Sequence, residues 1–341
     1  MVRILVIAPS WVGDTVMAQP LFARLKARFP GAQLAVFAAA WVAPLATRMP
    51  EVDEVIHNPF AHGELALGRR WRLARALAGR FDWAIVLPNS LKAALLPFFA
   101  GIRRRTGYVG EFRYGLLNDV RHLDEAALPL MVERFAWLAE EKDAPLPRPL
   151  PPPRLRVEES QRTATLARLG LAGDPAPIAF CPGAEYGPAK RWPAHHFAHL
   201  ARLLAEAGHT VWLLGSQRDR PLGEAIAAES PARNLCGRTG LEEAIDLLAS
   251  ARAVVTNDSG LMHVAAAVQT PLVALYGSSS PAFTPPLSDK ARILSLALPC
   301  SPCFKRVCPL GHLDCLEKLT PEAVRNTLAA LLAPPALKGN S

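Results

Sequence analysis

No apolar run in this chain reaches the roughly 20 residues a helix needs to cross a membrane. The N-terminus, MVRILVIAPSW, lacks the layout and cleavage site of an export signal. The expected compartment is therefore the cytoplasm, where thiols stay reduced, and the six cysteines do not read as a disulfide framework. No G-x-G-x-x-G follows the first apolar segment, which argues against a dinucleotide such as NAD. No D-x-D stands beside a strand end, so no catalytic divalent metal is expected. Acidic residues are outnumbered, 30 against 38 basic, for a net charge of +8. That balance favours anionic partners. The basic residues neither form a tail nor interleave with aromatics, so nucleic acid is the least favoured of these.

What is present is an α/β pattern with enough apolar residues, 50%, for two cores. Ile4–Pro9 reads as a doubly buried strand of a parallel sheet. A turn, an amphipathic helix over 15–29, Pro30-Gly31 and a strand over 33–38 complete a βαβ unit. Further strands are expected at 54–57 and 83–87, with a helix at 68–78 between them. Six prolines within 143–153 make a stiff spacer, dividing domain 1–153 from domain 154–341. After it the plan repeats: a strand at 177–181, a helix at 194–207 closed by Gly208, and a strand at 210–214. A helix comes next over 241–249, then a strand at Val254-Val255, and a last helix over 321–332. Residues 334–341 read as a frayed tail.

In open α/β sheets ligands bind at the carboxyl ends of the strands. There the first half offers Asp14, then Asn89, Ser90 and Lys92, with Arg105 and Arg113 nearby as basic groups for an acidic ligand. The second half offers Lys190 in the loop Pro182–Pro193, and Thr256-Asn257-Asp258-Ser259-Gly260 before a helix. Such a helix start presents unpaired N–H groups and a positive dipole end, an anion site to which His263 can add a donor. Cys300-x2-Cys303-x4-Cys308-x6-Cys315 reads either as a structural zinc site or as reduced thiols in a loop.

Three blocks, SWVGDTVMAQP, PGAEYGPAKRWP and TNDSGLMHVAAA, in this order and spacing make the chain resemble the ADP-heptose:lipopolysaccharide heptosyltransferases. The resemblance implies a GT-B fold, two Rossmann-like doubly wound parallel-sheet domains facing an interdomain cleft. The N-terminal domain would take the acceptor and the C-terminal domain ADP-heptose, with the last helix packing back on the N-terminal domain. It implies inverting transfer of L-glycero-D-manno-heptose to a lipid A-core acceptor that already carries its first heptose. The work would be done at the cytoplasmic face of the inner membrane, without a catalytic cofactor. Asp14 takes the position of a general base, and Lys190 that of a diphosphate contact. Asp258, Ser259, Gly260, Leu261 and His263 match the donor-holding segment. Glu185 and Tyr186 replace two threonines frequent in members that add the first heptose, and Thr239 falls where a backbone contact to adenine is expected. A relative with another acceptor and a hinged, non-catalytic two-domain binding protein are the competing readings.

Overall fold

The computed structural model describes residues 1–61 and 63–333, so the expected C-terminal tail lies outside the described residues. The chain forms two compact units, Met1–Arg156 with Ala282–Thr284, and Val157–Pro281 with the chain from Pro285 onward. Each unit contains one six-stranded sheet with every pairing parallel.

The first sheet uses β1 (Arg3–Ile7), β2 (Gln33–Ala39), β3 (Glu54–Asn58), β4 (Trp83–Val86), β5 (Arg104–Tyr108) and β6 (Asp119–Arg121), in the order β3-β2-β1-β4-β5-β6. β1 lies at the centre, Leu5 paired with Ala35 on one side and Ala84 on the other. Ile4, Leu5 and Val6 are fully buried, each contributing about 1.5–3 kcal/mol by leaving water. The single helix expected over 15–29 is instead two, Val12–Met17 and Gln19–Arg28, meeting at Ala18. Pro20 is the cause. It has no N–H to continue the first helix, yet it fits the first turn of the second.

The second sheet uses β7 (Ile178–Cys181), β8 (Val211–Leu213), β9 (Arg233–Asn234), β10 (Ala253–Asn257), β11 (Leu272–Tyr276) and β12 (Ala291–Ser295), in the order β12-β11-β10-β7-β8-β9. Both sheets are open and wound outward from the centre in two directions, so the expected architectural repeat is present. The helix Pro321–Leu332 buries Val324 and Leu328 in the core of the second unit with Phe197, Leu200 and Leu275. Its apolar face matches the helix Ala194–Glu206 and β11, which it packs against. Thr320 Oγ1 caps its start, accepting from the Ala323 N–H at 3.3 Å.

In both sheets the connections reverse direction between two central neighbours, β1 and β4 in the first and β7 and β10 in the second. At such a switch point the loops leaving the two strands part on opposite faces and leave a crevice outside the carboxyl ends.

Candidate functional site

In the first unit, the crevice after β1 and β4 is a cavity of about 530 Å³. Asp14, Asn89, Ser90 and Lys92 line it, beside Trp11 and Trp41, whose side chains are half exposed. Because the helix begins at Val12, Asp14 sits in its first turn and does not cap it. The loop carrying Asp14 is fixed locally. Thr15 Oγ1 donates to the Trp11 carbonyl at 2.9 Å, and Trp41 Nε1 to the Ser10 carbonyl at 2.8 Å.

The loop after β4 is braced from behind. Arg113, only 2% exposed, donates to the Pro88 carbonyl at 2.5 Å, to Asn89 Oδ1 at 3.2 Å and to the Tyr108 carbonyl. Burial lowers its pKa to about 10, still high enough to keep it charged near neutral pH. Arg105 donates to the carbonyls of Leu116 at 2.6 Å and Ile102 at 2.5 Å, and burial pushes its pKa down as well. Neither arginine is among the residues lining the cavity, and both brace the loops beside it. The cations that do line it with Lys92 are Arg70 and Arg134. Arg70 was visible in the sequence only as one of a run of arginines, and Arg134 had no signal at all.

In the second unit, the loop after β7 and the helix after β10 meet. Asn257, in the turn before the helix, is a buried clamp. Its Nδ2 donates to the Pro182 carbonyl at 2.7 Å and its Oδ1 accepts from the Trp192 N–H at 3.0 Å. Holding both ends of the loop brings Lys190 Nζ to 2.6 Å from Asp258 Oδ2. The Asp258 carboxylate is nearly buried and Lys190 mostly so, a setting in which the cation offsets the carboxylate and keeps the local charge near neutral. The Tyr186 ring lies 5.2 Å from Lys190 Nζ, a cation–π contact.

Ser259 is the N-cap of the helix Gly260–Ala267, with extended backbone at φ −146° and ψ 172°. The first-turn amides at Gly260 and Leu261 have no partner within the helix, and the dipole adds partial positive charge there. His263 is buried beside them. Burial holds its pKa down to about 4, so near neutral pH it is an uncharged imidazole. The cluster gathers a lysine paired with a carboxylate, two helix amides and a neutral ring. Two expected members stand apart. Glu185 is paired with Arg218, and Thr239 precedes the helix Leu241–Ser250. Neither is joined to the cluster by a hydrogen bond or ion pair among the described residues.

The profile of glycosyltransferase family 9 (heptosyltransferase) matches residues 70–314. Lipopolysaccharide heptosyltransferase 2 of Escherichia coli strain K12 is 51% identical, with 97% of this chain and 98% of that protein covered. Lipopolysaccharide heptosyltransferase 1 of Pseudomonas aeruginosa strain PAO1 is 28% identical, with 98% and 100% covered. The solved structure of the E. coli ADP-heptose lps heptosyltransferase II has a TM-score of 0.88 at 49% identity, covering 97% of this chain and 98% of that one. The α/β class and the GT-B fold expected from the sequence hold, and the reading as a non-catalytic binding protein is set aside. The chain is an enzyme, a glycosyltransferase, and it belongs to glycosyltransferase family 9, the heptosyltransferases.

Proposed function

We propose that this glycosyltransferase moves L-glycero-D-manno-heptose from ADP-heptose to the first heptose of a lipopolysaccharide inner core. The observation that carries the donor half is the Lys190–Asp258 pair at the start of the Gly260–Ala267 helix. The acceptor hydroxyl is a poor nucleophile until it loses its proton, and Asp14, at the cavity of the first unit, is the group to take it. As the new bond forms at the anomeric carbon, the bond to the β-phosphate oxygen breaks and negative charge collects on the departing ADP. Lys190 and the amides of Gly260 and Leu261 meet that charge, in the role a divalent cation plays elsewhere. One base and no second carboxylate nucleophile make a single displacement, which inverts the anomeric carbon.

Asn89, Ser90 and Lys92 are the acceptor-side contacts in this reading, Lys92 facing the acidic core sugars. Glu185, Tyr186 and Thr239 border the donor. The acceptor is a lipid, so the enzyme works at the cytoplasmic face of the inner membrane as a peripheral protein. No helix among the described residues is long and apolar enough to cross a membrane. Identity of 51% to the E. coli type 2 enzyme, against 28% to the P. aeruginosa type 1 enzyme, favours an acceptor already bearing one heptose. The test is ADP release from ADP-heptose with core acceptors bearing no heptose or one. Turnover only with the one-heptose acceptor is expected. Preference for the bare core would make this a first-heptose enzyme.

A further inference from the structure

The segment Cys300–Cys315 has almost no regular structure and little core of its own, with Phe304, Val307 and Leu310 each at least half exposed. It nevertheless makes specific contacts with the loop that carries Lys190. The Tyr186 hydroxyl donates to the Phe304 carbonyl at 2.8 Å, and the Ala189 N–H to the Arg306 carbonyl at 3.0 Å. The Arg306 guanidinium lies 5.1 Å from the centre of the Tyr186 ring. The fit at Gly187 is close enough that a Cβ there would stand 2.5 Å from the Arg306 carbonyl oxygen. On its other side the strap is tied down by the Phe304 N–H to the Ser278 carbonyl at 2.7 Å. Residues 304–306 thus form a wall for the Lys190 loop. Two cysteines, Cys303 and Cys308, flank that wall.

All four cysteines of the segment are unbridged, and all four line one small cavity of about 20 Å³ with His312. That is room for about one ion or water. The Cys308 sulfur faces the backbone N–H groups of Leu313, Leu310, Gly311 and His312. Left-handed backbone at Gly311 and Leu313 turns the chain tightly around that sulfur. Cys315 is buried, with Cys300, Cys303 and Cys308 around it. The rival set, His195, His196 and Glu317, is the trio of ligand atoms within 4.8 Å of one another among the described residues, so the four sulfurs must draw closer to share an ion. In that trio His196 Nε2 already lies 2.9 Å from the Glu317 carbonyl oxygen and its ring stacks on Trp192.

We propose that Cys300, Cys303, Cys308 and Cys315 bind one zinc or iron(II) ion, and that the bound ion fixes the Phe304–Arg306 strap, holding Lys190 in place for the diphosphate. Each thiol that ligates releases its proton to solvent. The ion is structural and the strap positions Lys190. The effect on Lys190 rests on the proposed nucleotide role of its loop, whereas the metal site does not.

The test uses the full chain purified reduced and without chelator. Expected are about one equivalent of metal per chain and, after stripping and addition of cobalt(II), thiolate-to-cobalt absorption in the near ultraviolet. Stripping wild type, or Cys303→Ser, should weaken ADP binding about tenfold, and added zinc should restore the stripped wild type alone. If Cys303→Ser fails to fold, the stripped and reloaded wild type decides. Metal below roughly a tenth of an equivalent with no cobalt–thiolate absorption overturns the site. So does metal kept in Cys303→Ser but lost in a His195→Ala/His196→Ala double variant. Unchanged ADP affinity after stripping overturns the strap. If loaded wild type binds no ADP at all, the nucleotide reading fails, and stoichiometry and absorption still decide the metal site.

Discussion

The two units share one architecture and place their polar groups at the same topological point, yet they arrange them differently there. The first has a roomy cavity with a carboxylate in a helix turn at its wall. The second has a nearly buried lysine–carboxylate pair against a helix start. The difference lies in the segments that leave the strands. After β1 a six-residue helix, ended at Ala18 by the approach of Pro20, leaves its loop open. After β7 the loop from Pro182 to Trp192 is pinned at both ends by Asn257. One scaffold thus yields a wide cavity in one unit and a pinned loop in the other, by loop length and one amide clamp.

The sharpest way to break the comparison is to remove the carboxylate from one site and the lysine from the other. Asp14→Ala should lower kcat about 10³-fold while ADP affinity, measured by calorimetry, stays within a few-fold of wild type. Retained turnover would show that the carboxylate of the first unit is not the base. Lys190→Ala should cost about 10²-fold in kcat and also weaken ADP binding, because the lost cation faces ground and transition state alike. It also strands the buried Asp258 carboxylate, so a lower melting temperature should accompany the kinetic loss. A variant that lost kcat with ADP binding intact would move the diphosphate away from Lys190.

The central strands were legible because a strand buried on both faces reads as a continuous apolar run, as Ile4–Ile7 and Ala253–Val255 do. Asp14, Lys190 and Asp258 were legible because turn residues mark where strands stop. The clamp was not. Asn257 and Pro182 are 75 residues apart, and only knowing that β7 and β10 are neighbours reveals it. For Arg105 and Arg113 the sequence shows the charge but not the carbonyls that enclose it. The packing of the last helix was not legible, because in a sequence Val324 and Leu328 mark only a buried face and not what covers it.

The stability of the two units should also separate. Asp119 in the first sheet accepts from Arg121 Nε at 2.7 Å, Thr106 Oγ1 at 2.8 Å and Arg104 Nε at 3.0 Å. Burial alone would raise its carboxyl pKa. The hydrogen bonds and the charge of Arg121 outweigh that and hold it at about 2. Asp119→Asn leaves Arg121 fully buried beside a neutral amide and should destabilise by about 3 kcal/mol, read by denaturant unfolding. ADP affinity should not change, since the cluster proposed for the nucleotide is in the other unit. In wild type the contribution of Asp119 is present above pH about 4 and fades as the pH falls through 2.

The second unit should weaken at a higher pH, and for the opposite kind of group. His263 titrates near 6.5 in an unfolded chain but is held to about 4 by burial in the folded one. Between those values the unfolded state binds the proton and the folded state does not, so stability falls as the pH drops from about 6.5 to 4. From pH 7 to pH 5 the loss is about 2 kcal/mol for this one group. A substitution that fills the same space without titrating, His263→Gln, should flatten that part of the pH profile while leaving the Asp119 step below pH about 4 in place. If the profile of His263→Gln followed wild type from pH 7 to 5, the imidazole would already carry its proton in the folded state. It would then be a second cation at the helix start, and the charge balance drawn there from Lys190 and Asp258 would have to be redrawn.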